Sequence, residues 1–194
     1  GNKYHMTIND DIDERRNFFV STDAAIAYLK DLRLIFVSWT LAAAAYNMGE
    51  DGLKTEMLMQ RVNTYYQLHL NQETQRYIFR ILAAKIILSD PQKYGFYLSR
   101  GDLYHQLQFD QVEISSDYPV PIHVIAQAAN TYFKMIKDLN PHLKKYHLPA
   151  GRHVILIPRG AADRFSERYE TRLKQWLEEK EKSVYTIKRG DNIY

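Results

Sequence analysis

The sequence predicts a mainly α chain, with a helical domain, then a small α+β unit of β-α-α-β order, then a C-terminal helix. Three observations carry this reading. Apolar residues recur at helical spacing from Ala24 to Leu88. That pattern stops at Asp90-Pro91, where the proline ring removes an amide donor and disfavours helical backbone in the residue before it. Beyond it, the apolar run His153-Val154-Ile155-Leu156-Ile157, rich in β-branched residues, reads as a buried strand.

Each element has a local reason. Ser21-Thr22-Asp23 reads as a helix cap, because a short side-chain oxygen can accept from free first-turn amides, and Ala24, Ala25, Tyr28, Leu29, Leu32 and Ile35 follow as one face. A second helix is expected from Ser38 to Asn47, stopped at Gly49, which enters the left-handed region without a β-carbon penalty. Ala42 to Ala45 let another helix approach closely. A third helix is expected over Leu53 to Val62. Asn71 then caps a helix carrying Tyr77, Ile78, Ile81, Leu82, Lys85 and Ile86. After Pro91, Leu107, Phe109, Val112 and Ile114 suggest an extended segment, and Ile122 to Ala129 and Tyr132 to Leu139 suggest two short helices. Arg164 to Lys182 is a charged amphipathic helix with Phe165, Tyr169, Leu173, Trp176 and Leu177 on one side, read as a spacer.

Composition narrows the function less than the fold. The 26 Lys and Arg against 23 Asp and Glu leave a charge of +3, which suits an anionic polymer but is too small to argue for nucleic acid. Cysteine is absent, which rules out a disulfide framework or thiolate metal site. His142, His147 and His153 share no helix face and have no acid cluster beside them, so they read as surface histidines rather than metal ligands. No apolar run approaches the roughly 20 residues of a membrane span, and no signal peptide precedes Asn2. Gly1 reads as a tag remnant, and any targeting segment is expected upstream.

The most informative stretch is Leu41-Ala42-Ala43-Ala44-Ala45-Tyr46-Asn47-Met48-Gly49-Glu50, followed by Glu73-Thr74-Gln75-Arg76-Tyr77. In order and spacing these resemble the last two motifs of the lysozyme-like peptidoglycan lytic transglycosylases (SLT domain), and especially their membrane-bound type D branch. Asp13-Glu14-Arg15-Arg16 and Tyr94-Gly95-Phe96 flank them as in that family. The resemblance covers about residues 8 to 160 and departs at Met48 and Asp51-Gly52, which could alter the edge of the groove. Leu139-Asn140-Pro141 and the Pro149-x-Gly151 turn resemble the divergent LysM-like region that follows the catalytic domain. Tyr185-Thr186-Ile187-Lys188-Arg189-Gly190-Asp191-Asn192-Ile193-Tyr194 resembles the opening of a LysM domain, cut short. The implied layout is residues 1–98 for the C-terminal part of the transglycosylase domain, 99–160 for the LysM-like region, 161–183 for a linker helix and 184–194 for a truncated LysM start.

The resemblance implies cleavage of the bond between N-acetylmuramic acid and N-acetylglucosamine with formation of a 1,6-anhydro sugar, and it implies no cofactor. It places the catalytic glutamate, in a Glu-Ser pair, upstream of the matched residues, so the chain alone is expected to be inactive. Tyr77 would orient that glutamate, and Tyr46 and Asn47 would line the glycan groove. The blander readings are a core tyrosine and a helix-capping asparagine. Glu50 and Glu73 are poor replacements for the acid, since a helix end or first turn favours an ionised carboxylate. Glu56, Glu113 and Asp110 lack a surrounding motif, and Asp13-Glu14-Arg15-Arg16 reads as an ion-paired cap. The expected partners are peptidoglycan strands in the periplasm or cell envelope, with the full-length protein membrane-anchored. A homodimer through the Ala42 to Ala45 and Ile78 to Ile86 faces is also expected, on the reasoning that those faces lie uncovered. The competing functions are a non-catalytic peptidoglycan-binding module and a scaffold for protein partners.

Overall fold

A computed structural model of the chain describes residues 2–183, so the LysM-like start read at Tyr185 to Tyr194 lies outside the described residues. The chain divides into two compact units. Phe19–Gln106 form one, and the segment up to Phe18 joins the chain from Leu107 onward in the other.

The first unit is helical. Helix α1 spans Phe18–Phe36, α2 Trp39–Met48, α3 Glu50–Gln60 and α4 Gln72–Ser89. The cap expected at Ser21 to Asp23 is a correction: α1 starts at Phe18, directly after Asn17, whose extended backbone (φ −79°, ψ 114°) closes a turn at Glu14–Arg16. Those three residues therefore lie inside the helix. Gly49 ends α2 at φ 94°, a value only glycine adopts without strain. It also stands at the N-cap of α3, which begins at Glu50 rather than Leu53. The early start has an electrostatic reason, because Glu50 and Asp51 occupy the first turn, where the helix dipole favours negative charge. Left-handed Arg61 (φ 55°) ends α3 before Val62. For α4, the Asn71 Oδ1 accepts from the Thr74 amide at 2.9 Å, as a cap should, and the helix ends at Asp90 before Pro91.

Helix α2 packs on α3 and α4 around a core of Leu32, Leu41, Ala42, Ala44, Ala45 and Leu53, all at most 2% exposed. The expectation that the Ala42 to Ala45 face lies uncovered is thus overturned. Small side chains let α3 and α4 close over it. Ile78 is buried too, while Ile81, Leu82 and Ile86 remain exposed.

The second unit has the expected β-α-α-β order. Strand β1 (Phe109–Ser116) pairs antiparallel with β4 (Gly151–Pro158), with Ile114 opposite His153 and Val112 opposite Ile155. Between them lie β2 (Val120–Pro121), α5 (Ile122–Ala128), α6 (Phe133–Leu139) and β3 (His147–Leu148), with β2 and β3 forming a second short antiparallel pair. Helix α7 (Phe165–Ser183) packs along α5. Phe165 and Tyr169 are buried in the core of this unit and Leu173 and Trp176 pack against it.

Asn140, in the Leu139-Asn140-Pro141 motif, is fully buried and explains why that motif is needed. Its Nδ2 donates to the Ile136 carbonyl at 2.8 Å and the Leu156 carbonyl at 2.7 Å, and its Oδ1 accepts from the Leu156 amide at 2.9 Å. One side chain thus ends α6 and pairs with β4 as a strand would.

The N-terminal segment completes this unit. Ile12 bridges to Leu143, the Asp13 amide donates to the His142 carbonyl at 2.9 Å, and the Lys144 amide donates to the Asp11 carbonyl at 2.8 Å. Ile12 enters the core. The reading of His142 as a surface residue is corrected by this contact: it is buried, its Nδ1 lies 3.5 Å from the Asn17 amide nitrogen, and burial pushes its imidazole below the ordinary value. His147 lies half-buried beside Asp11, its Nε2 3.5 Å from the Asp11 carboxylate. Asp13 caps the Glu14–Arg16 turn as expected, and its hydrogen-bonded Arg15 guanidinium holds its carboxyl down at about 2.

Candidate functional site

The residues singled out in the sequence lie on two packed helices of the first unit. Asn47 sits half-buried in the last turn of α2, and its Oδ1 is 2.8 Å from the Thr74 Oγ1 on α4. Thr74 is fully buried and its Oγ1 is also 3.1 Å from the Asn71 Oδ1. A single hydroxyl proton cannot serve both acceptors fully. With the Asn47 amide turned over, its nitrogen donates to Thr74 and Thr74 donates to Asn71, which satisfies all three groups.

Thr74 and Tyr77 are three residues apart, hence neighbours along one side of α4. The Asn47 link therefore draws the end of α2 to the part of α4 that carries Tyr77. Tyr77 is half-buried, its ring packed against the helical core, and its hydroxyl makes no hydrogen bond among the described residues. Tyr46, next to Asn47, points elsewhere: it is 38% exposed, with its ring 5.8 Å from that of Tyr28 on α1 at an angle of 42°.

Two residues that sequence reasoning passed over hold this arrangement. Thr74 is one. Tyr65 is the other: it is buried, and its hydroxyl lies 2.9 Å from the Thr74 carbonyl and 2.8 Å from the Gln75 carbonyl, sharing its proton between them. Burial raises its phenol above the ordinary value. The Asn71-x-x-Thr74 spacing of a capped first turn was a visible signal for Thr74. Nothing local announces Tyr65.

A catalytic acid of raised pKa needs burial, and no carboxylate among the described residues is buried. Glu50 pairs with Lys54, Glu73 with Arg80 and Glu113 with Arg152. Glu56 accepts from the Gln60 amide, and Asp110 accepts from the Ala162 backbone. Among the described residues no three His, Asp or Glu side chains converge as a metal site would require.

Comparison with known family models matches part of each unit. Residues 1–66 match the transglycosylase SLT domain, and residues 108–173 match the LysM-like domain of lytic transglycosylase MltD. Membrane-bound lytic murein transglycosylase D of Escherichia coli K12 is 28% identical over 207 aligned positions that take in the whole chain. The protein of the same name from Escherichia coli O6:H1 is equally similar. This chain is a distant homologue of lytic murein transglycosylase D. It spans 45% of the length of those relatives. The family's LysM-like match extends to residue 173 and so includes the first half of α7, in keeping with the burial of Phe165 and Tyr169. The relatives are named as membrane-bound, and no helix among the described residues of this chain is long and apolar enough to cross a membrane.

Proposed function

We propose that the chain is part of a peptidoglycan lytic transglycosylase of the cell envelope, in which Tyr46 and Asn47 line the glycan groove and Tyr77 orients a glutamate supplied from outside the described residues. In that reaction the acid protonates the oxygen between the two sugars and the bond to the anomeric carbon breaks. The C6 hydroxyl of the muramoyl sugar then closes on that carbon, giving its proton to the carboxylate. The substrate's N-acetyl group can stabilise the cationic centre in place of a second carboxylate. The observation that carries this reading is the Asn47 to Thr74 link, which sets Asn47 against the helix of a half-buried Tyr77 whose hydroxyl has no partner among the described residues.

That no described carboxylate is buried supports a narrower second reading for the chain taken alone, a module that binds peptidoglycan without cleaving it. Incubation of this chain with purified sacculi tests the lack of an acid that both readings share. It releases no anhydromuropeptides on our reading, and clear release would overturn it. In the full-length enzyme, Tyr77→Phe lowers kcat by about tenfold or more, the value of one hydrogen bond to a charged group, with Tm unchanged. Asn47→Ala raises KM instead. Because Asn47 also ties two helices together, Thr74→Val is the control, removing the tie and leaving the amide in the groove. Wild-type kinetics for Tyr77→Phe would show that this tyrosine serves only the core.

A further inference from the structure

Helix α4 carries a second chemical feature, away from the Tyr77 side. Tyr77 and Phe79 flank the buried stripe of Thr74 and Ile78 on opposite sides of the helix. On the Phe79 side lies an open groove of about 380 Å³, lined by Tyr66, Gln75, Arg76 and Phe79 over Leu68 and Leu70. Tyr66 and Phe79 are 68% and 56% exposed, so their rings offer apolar area to a ligand. The charge on Arg76 is uncommitted for a specific reason. Glu73, its natural partner three residues earlier, instead gives both carboxylate oxygens to Arg80, at 2.7 and 2.8 Å. Among the described residues Arg76 has no ion pair or side-chain hydrogen bond.

We propose that this groove binds the peptide stem of peptidoglycan through a free stem carboxylate on Arg76, with the stem's aliphatic portions against Tyr66 and Phe79. The inference rests on the reading of the chain as a peptidoglycan-binding protein. A planar guanidinium fork matches a carboxylate in bidentate geometry. The glycan backbone offers it no such group, because the muramoyl carboxyl is amidated where the stem is attached. Free carboxylates occur on the stem itself. Arg80 acts as a positioning residue, since it keeps Glu73 from closing on Arg76.

The test is calorimetric titration of the 194-residue chain with two probes, a stem tetrapeptide with free carboxylates and the neutral glycan chitotetraose. The tetrapeptide binds, amidation of its carboxylates abolishes binding, and Arg76→Gln weakens it by about tenfold or more. Chitotetraose binding is unchanged by that variant. Arg80→Gln also weakens tetrapeptide binding by releasing Glu73, and adding Glu73→Gln restores it, which loss of a merely structural arginine would not do. Equal tetrapeptide affinity in wild type and Arg76→Gln overturns the inference. So does binding of chitotetraose alone, which leaves the peptidoglycan reading standing. Failure of both probes sinks the two together.

Discussion

At the scale of single residues, two buried polar groups make opposite demands on stability. Asn140 satisfies three backbone partners at once, and its removal leaves the Leu156 amide and carbonyl buried without them. An unsatisfied buried group costs about 1–3 kcal/mol, so Asn140→Ala should lower the stability of the β-α-α-β unit by about 2–4 kcal/mol in urea denaturation. A loss below about 1 kcal/mol would mean that water replaces the amide at little cost. Tyr169 is the reverse case. Its hydroxyl is buried with no partner among the described residues, while its ring stacks on Phe165 at 5.8 Å. Tyr169→Phe keeps the stack and removes the orphaned hydroxyl, so a gain of about 1 kcal/mol is expected at neutral pH. Burial also pushes the Tyr169 phenol up to about 12 from an ordinary 10. Because the folded state favours the protonated form, its contribution is intact below pH 10 and is lost as pH rises from 10 towards 12. The Phe variant should lack that alkaline loss, as thermal melts from pH 9 to 12 would reveal by a widening gap from wild type.

At the scale of elements, the segment before α1 matters most. It belongs by sequence to the stretch that matches the transglycosylase domain, yet it packs into the LysM-like unit through Ile12 and the backbone pairing with His142 and Lys144. The loop it meets is anchored from the other side as well, because the Lys137 ammonium donates to the carbonyls of Leu143 and Lys145. Ile12→Ala should therefore destabilise the unit built from β1, α5, α6, β4 and α7 by about 2–4 kcal/mol. The two tryptophans make this measurable, since Trp39 lies in the helical unit and Trp176 packs against the other core. In a Trp39→Phe background, the urea midpoint of Trp176 fluorescence should fall with Ile12→Ala. An unmoved midpoint would show that the segment rests on the unit without stabilising it.

For the whole molecule, the distribution of apolar surface sets the expectation. Leu34, Val37, Leu58, Met59, Phe79 and Leu88 of the helical unit are all more than half exposed, whereas the Ala42 to Ala45 face is closed. Exposed apolar area on this scale favours association. The chain should form a homodimer or larger assembly at high concentration in light scattering, now through the exposed faces of α1, α3 and α4. A monodisperse monomer would count against it.

Most of what could be read in the sequence is local, because its physics acts within a few residues. Asn71 caps α4 through its own first turn, Gly49 stops α2 by its permitted φ, Pro91 ends α4, alternating apolar residues select β1 and a continuous apolar run selects β4. Motif order brought out Tyr46, Asn47 and Tyr77 for the same reason, as a short pattern on two helices. The boundary that went wrong at α1 was set by the turn before it and that at α3 by acidic residues in its own first turn, neither of which the apolar helix pattern encodes. Burial of the alanine face, the Asn47 to Thr74 link, the place of Tyr65, the docking of Ile12 and the burial of His142 were decided only by tertiary structure. Each is a contact between segments far apart in the chain. Residue type can say that such groups need a partner, but only packing says which one is within reach.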